Sequence, residues 1–287
     1  MIVDIHTHVF DPNRHFGPHL QADLERCGVD PAVWGAVAPR HLETTAHADV
    51  SIVFGLQAKA TGWLIPNDWV AAHVAKAPDR LLFFASIDPA DRNYMGELER
   101  CHRELGAVGV KLSPLYQGVH PRDERYYDIY QYCQQHGLPI LFHVGTSFVS
   151  GVPLDYSRPI HYDGIAIDFP ELRMVLAHLG HPWESETIAV IRRNAHVYSD
   201  ISALHYRPWQ FYNSMRLAVE YGVTHKLLFG SDFPFTTTAA SITGMRQLND
   251  IPLAAGLPTI PADAIENIIH RDSLTLLGLA KPHAKDL

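Results

Sequence analysis

The feature that most constrains this chain is a rhythm of eight short runs rich in Val, Ile, Leu and Phe, separated by stretches of helical or loop character. The runs occupy 2–6, 50–54, 81–87, 107–112, 139–144, 173–178, 196–201 and 226–231. Strands covered on both faces read as near-continuous apolar runs of this kind. Between them, 91–105 stops at Gly106, 123–136 stops at Gly137 with Pro139 beyond, and 208–221 opens on Pro208 and stops at Gly222. Proline near the start and glycine just past the end is the usual asymmetry of helix boundaries. The stretch 262–277 places Ile265, Ile268, Ile269 and Leu276 on one side and is expected as a single closing helix. Eight such repeats predict an α/β fold, a TIM (β/α)8 barrel, over an open sheet. At 287 residues the chain is close to the roughly 250 such a barrel takes, so one domain over 1–287 is expected.

Charge and cysteine content narrow the setting. The net charge of −8 opposes a nucleic-acid partner, which is bound by neutralising phosphates with Lys and Arg. The three cysteines, Cys27, Cys101 and Cys133, have neither disulfide-like nor metal-like spacing and read as thiols in a reducing compartment. The opening Met1-Ile2-Val3-Asp4-Ile5-His6 has no basic start followed by an apolar core, and no apolar run approaches the roughly 20 residues of a membrane span. A cytoplasmic protein acting on a small molecule is expected. Histidine is in excess at 19 residues, but His73, His102, His136 and His225 fall on expected helices or turns and are expected at the surface.

On the barrel frame the polar residues converge. Barrel enzymes carry their chemistry at the C-terminal ends of the strands. Strand one ends Asp4-Ile5-His6-Thr7-His8, strand five ends in His143, strand six in His178, and strand eight leads to Asp232. Simple alternation sends residues 4, 6 and 8 to one face, with the two histidine α-carbons ~6.6 Å apart. Three neutral nitrogens and a carboxylate, from His6, His8, His143 and Asp232, suit one divalent ion, zinc first and manganese second. Asp232 can also take a proton from a metal-activated water, and His178 can serve as general acid or base. The long connections 9–49 and 145–172 surround the same face and are candidate lids. Arg158 in the second could clamp a carboxylate, with Arg40 and Arg207 as rivals or as ordinary ion pairs. Phe10, Phe148, Tyr156, Trp209 and Phe235 are candidate walls of a partly apolar pocket.

At these residues the sequence resembles the amidohydrolase superfamily. More narrowly, it looks like the amidohydrolase-related group that includes aminocarboxymuconate-semialdehyde decarboxylase. The resemblance is carried by Asp4-Ile5-His6-Thr7-His8, Gly109-Val110-Lys111-Leu112-Ser113-Pro114 and Phe142-His143-Val144-Gly145. It continues through Ala177-His178-Leu179-Gly180-His181-Pro182-Trp183 and Leu228-Phe229-Gly230-Ser231-Asp232-Phe233-Pro234, in the family's order. It implies that His6, His8 and His143 are metal ligands, Asp232 a ligand and base, and His178 the catalytic histidine. The family's Asn-Ala pair before the closing Leu-Leu-Gly-Leu is replaced by the stretch 270–275, a departure away from any ligand. In two-metal members a carboxylated lysine stands where Lys111 stands; the other reading pairs Lys111 with Asp88 or Asp200. His181 and Trp183 are further substrate or second-metal candidates, Trp183 more as a wall. The family habit implies a homodimer. Two reactions fit: hydrolysis of a small carboxylated lactone, ester or amide, the first reading, and decarboxylation of an unsaturated or aromatic acid. A metal-binding barrel without catalysis would lack one of these groups, and none is missing.

Overall fold

The apolar runs become eight parallel strands: β1 (Val3–His8), β2 (Val50–Phe54), β3 (Leu81–Ser86), β4 (Gly109–Leu112), β5 (Ile140–Phe142), β6 (Met174–Leu176), β7 (Val197–Asp200) and β8 (Leu227–Leu228). In this computed structural model the described residues are 1–29 and 34–282. Residues 30–33, in the first long connection, and 283–287, at the end of the expected single domain, lie outside them. Each strand pairs with its neighbours in chain order. The Ile5 N–H donates to the Phe229 carbonyl at 3.1 Å, and a parallel bridge joins Thr7 to Phe233. These contacts bring β1 against the chain leaving β8 and all but close the barrel.

Alternation within the strands divides the core in two. Ile52, Phe54, Leu82, Phe84, Leu141, Val175 and Leu228 form an inner cluster, joined by Leu274 and Leu277 of the last helix. Val53, Leu81, Phe83, Val110, Leu112, Ile140 and Phe142 belong to the outer cluster shared with the helices. The helix Glu124–His136 shows how the surrounding layer is bounded. The Asp123 carboxylate accepts the Arg125 N–H at its start, and Gly137 takes a left-handed φ of 66° at its end. Both devices satisfy backbone groups that the helix leaves unpaired.

Several expectations are corrected. The stretch 262–277 is two helices, Ala262–Ile269 and Ser273–Leu277, because the Asp272 side chain caps a new start by accepting from the Thr275 N–H. Strand six ends at Leu176, and residues 177–180 form a tight turn in which His178 and Leu179 have φ of 60° and 48°. Strand eight is only two residues long. A short antiparallel hairpin, Gln57–Ala58 with Trp63–Leu64, follows β2 and is invisible to an apolar-run reading because each arm is two residues. The candidate-lid connections hold structure of their own. Helices Pro12–His15, Pro18–Arg26 and Val37–Thr44 lie in the first, and a turn Leu154–Ser157 and helix His161–Asp168 in the second. No helix among the described residues is long and apolar enough to cross a membrane.

Candidate active site

The first strand is irregular where it matters. Its register against β2 shifts between Asp4 and Thr7, so simple alternation does not run from Asp4 to His6. Asp4 leaves the constellation. Its carboxylate accepts the Ser231 N–H at 2.9 Å and the Thr238 hydroxyl at 2.7 Å, tying β1 to the segment after β8. His6 and His8 both pack on the inner-core ring of Phe54, with centroids 5.1 and 4.6 Å away.

Asp200, at the C-terminal end of β7, sets the tautomers. Its Oδ2 lies 2.9 Å from His6 Nδ1, and its Oδ1 accepts the backbone N–H groups of His178 and Ser202 and the Ser202 hydroxyl. With its proton given to Asp200, the Ser202 oxygen accepts from His178 Nδ1 at 2.8 Å. A carboxylate can only accept, so His6 also carries its proton on Nδ1. Both histidines therefore present an unprotonated Nε2. Holding one imidazole nitrogen with a carboxylate so that the other can ligate is the usual outer support of a metal centre.

Asp232 completes the arrangement. Its N–H donates to the His6 carbonyl at 2.8 Å, and its Oδ1 lies 3.3 Å from His6 Nε2 and 3.4 Å from His8 Nε2. Ligating atoms of His6, His178 and Asp232 all lie within 4.8 Å of one another. His143 Nε2 is buried with no hydrogen-bond partner. Gly230 permits the close approach, since a Cβ there would stand 2.9 Å from the His6 Cβ. Five non-glycine residues among those described have positive φ, and four of them, His178, Leu179, Ala203 and Asp232, belong to this rim. Strain of this kind costs about 1–3 kcal/mol per residue and gathers at functional sites.

The electrostatics favour a cation. Burial, then Lys111 and the neighbouring histidines, holds His6 well below its ordinary pKa and pushes His143 down to about 3. His8 and His178 are depressed by burial and by His6. Burial drives the Asp232 carboxyl well above the usual range. Neutral imidazoles are what a metal ligand requires, and a bound cation would reverse the penalty on the Asp232 carboxylate. The residues present thus fit a divalent ion. Lys111 sits beside them with Nζ 3.5 Å from His6 Nε2 and 4.7 Å from the centre of the Phe54 ring. Burial, opposed by Asp200 and Asp232, lowers its amine to about 7.

A cavity of about 210 Å³ opens above these groups. It is lined by His8, Lys111, His143, His178, His181 and Asp232, by Ser113, Thr146, Ser147 and Arg207, and by an apolar wall including Phe10, Leu56, Trp63, Tyr116, Phe148, Tyr206 and Phe235. Of the expected rim residues, Arg158 is not part of the lining. It is paired with Glu186 and lies over the Trp183 ring at 5.6 Å, which leaves Trp183 outside the lining as well. Tyr156 and Trp209 are also absent from it, whereas Trp63, Tyr116 and Tyr206 were missed. His73 is buried, not at the surface: its Nε2 lies 3.1 Å from His41 Nδ1. Asp88 accepts the Lys59 and Ala90 N–H groups. The organising role of Asp200 was also missed; its place at the end of a barrel strand was the available signal.

The family model described as Amidohydrolase matches residues 3–279. The chain belongs to the amidohydrolase family. A gamma-resorcylate decarboxylase from Polaromonas sp. (strain JS666) is 27% identical over 155 residues, covering 45% of this chain and 48% of that enzyme, so the match spans about half the length of the curated relative. An uncharacterised TIM-barrel protein from Bordetella bronchiseptica superposes with a TM-score of 0.73 at 23% identity, over 96% of this chain and 98% of its own. A dihydroxybenzoic acid decarboxylase from Polaromonas sp. JS666, solved with manganese and 2-nitroresorcinol, superposes with a TM-score of 0.64 at 17% identity over 96% of each chain. The fold is thus the TIM barrel of this enzyme family.

Proposed function

We propose that this amidohydrolase-family enzyme is a metal-dependent decarboxylase of a small aromatic or unsaturated carboxylic acid. The observation that carries the reading is the cavity, where the imidazole and carboxylate donors meet one guanidinium within aromatic walls. An engineered cavity of about 150 Å³ admits benzene, so about 210 Å³ suits one substituted ring. The decarboxylases among the similar proteins support decarboxylation over the hydrolysis first expected from sequence.

His6, His8, His178 and Asp232, with His143 contributing its unpartnered Nε2, would hold the ion, zinc or manganese. When bound, such an ion supplies positive charge that orients the acid and stabilises negative charge developing on its oxygens. Arg207, from the loop after β7, meets the carboxylate. Asp232 takes up a proton from the entering acid or from solvent and delivers it to the ring carbon bearing the carboxylate. The carbon–carbon bond then breaks, its electron pair restores the ring, and carbon dioxide leaves. Hydrolysis is the second reading, favoured by the same Asp232 carboxylate standing ready as a base. Manganese- or zinc-loaded protein given hydroxybenzoates in one series and lactones or esters in another separates the two. Carbon dioxide and the matching phenol are expected from the first series. Acid release from the second alone would overturn the decarboxylase.

A further inference from the structure

Ser113 follows the last residue of β4 and occupies the N-cap position of the short helix Pro114–Gln117, where a serine hydroxyl normally accepts an N–H of the first turn. Here it makes no capping bond. The local backbone is held by Gln117 instead. Its Oε1 accepts the Ser113 N–H at 3.0 Å, and its Nε2 donates to the carbonyls of Gln57 and Ile87 at 2.8 and 2.6 Å. Tyr126 donates to the same Gln117 oxygen. The Ser113 hydroxyl takes no part in these bonds.

That hydroxyl is fully buried, has no hydrogen-bond partner, and belongs to a residue lining the cavity two positions after Lys111. A hydroxyl removed from water without a partner is destabilising, so an unpartnered one beside a cavity points to a ligand atom. Among the described residues, two other lining residues carry such an atom, His143 at Nε2 and Trp63 at Nε1. The first has its use among the metal donors. Ser113 directly follows β4 and Trp63 lies on the hairpin after β2, whereas Arg207 follows β7 around the barrel. Arg207 and the two unpartnered groups therefore reach the cavity from different strands of the barrel.

We propose that Ser113 is a specificity-determining residue that hydrogen-bonds an oxygen substituent of the substrate ring other than the reacting carboxylate. The Trp63 indole N–H is a further donor available to that oxygen. This rests on the ring-acid reading above and makes it narrower, because a bare benzoate leaves the Ser113 hydroxyl unsatisfied while a hydroxybenzoate pairs it. A site that pairs a substrate hydroxyl penalises the analogue that lacks it far more than a merely apolar pocket does.

The test is calorimetric binding of benzoate and of 2-, 3- and 4-hydroxybenzoate to manganese-loaded wild type, Ser113→Ala and Ser113→Thr, with the melting temperature of each. Wild type is expected to bind at least one hydroxybenzoate about tenfold or more tighter than benzoate. Ser113→Ala is expected to erase that ratio while leaving benzoate within about twofold and the melting temperature undiminished, and Ser113→Thr to restore part of the ratio. A wild type without hydroxyl preference, an unchanged ratio in Ser113→Ala, or a lowered melting temperature that betrays a structural bond would each overturn the assignment. The readout needs no turnover. If the ratio behaves as expected and no acid releases carbon dioxide, the decarboxylase reading falls and the Ser113 subsite stands.

Discussion

Strand β1 carries two buried histidine networks on its two sides, and they differ in what their nitrogens are left to do. On the cavity side, His6 and His178 give their Nδ1 protons to Asp200 and Ser202, and their Nε2 atoms stand among like groups and a carboxylate. On the other side, Thr7 donates to the Ile52 carbonyl at 2.6 Å, so its oxygen accepts from His41 Nε2 at 2.9 Å. His41 Nδ1 must then accept from His73 Nε2 at 3.1 Å. Only the far nitrogen of this chain, His73 Nδ1, ends without a partner. Both networks hold neutral, buried histidines. The outer one spends its hydrogen bonds in series and pins the strand, while the inner one saves one lone pair per ring. Burial alone does not make a ligand; what the second nitrogen is bonded to does.

The comparison can be broken most severely at Asp232. Asp232→Asn keeps the shape and removes the transferable proton, and turnover measured on metal-loaded protein is expected to fall by about 10²–10⁴-fold. Next is Asp200→Asn, whose amide can donate to His6 Nδ1 and favour the wrong tautomer. Loss of such an outer partner typically costs about 10–100-fold in metal affinity, to be read by competition with a chelator. An unchanged affinity would detach Asp200 from the inner network.

The outer network should answer to pH with no ion to mask it. Burial, with the neighbouring cations, pushes His41 and His73 down to about 3 and about 4, below their ordinary 6.5. Both stay neutral in the folded protein while the unfolded chain takes up protons first. Their stabilising contribution is complete above pH ~6.5 and is lost as the pH falls toward 4, at about 1.4 kcal/mol per unit for each histidine. Denaturant unfolding of wild type and His73→Leu at pH 7, 6 and 5 separates this share from that of the inner histidines: the variant's slope should be shallower by about one histidine's worth. The smallest effect is expected at the surface. Arg207→Ala should raise KM by about tenfold, as for the loss of one charge-assisted bond, whereas Arg158→Ala, in its exposed pair with Glu186, should change it by less than about twofold.

The same contrast explains what could be read from the chain. The eight strands and the convergence of His6, His8, His143, His178 and Asp232 follow from apolar runs and from where barrels end their strands, both properties of sequence order. The irregularity in β1 does not, because it is set by pairing with β2 and removes Asp4 from a face that alternation gave it. Arg158 and Arg207 are alike in sequence, both in rim loops, and only the course of those loops puts Arg207 at the cavity. His73 looked like a helix-surface residue because its partner His41 lies 32 positions away. Asp200 was visible at the end of β7, but its grip on two histidines depends on the left-handed turn at His178.

The most direct test of the central claim is metal content per chain by elemental analysis after loading with manganese or zinc, on wild type, Asp232→Ala, His178→Ala, Lys111→Ala and His73→Leu. The account predicts about one ion in wild type, Lys111→Ala and His73→Leu, with strong depletion in Asp232→Ala and His178→Ala. An ion count near two that drops with Lys111→Ala, or a wild type that takes up no ion at all, would contradict it.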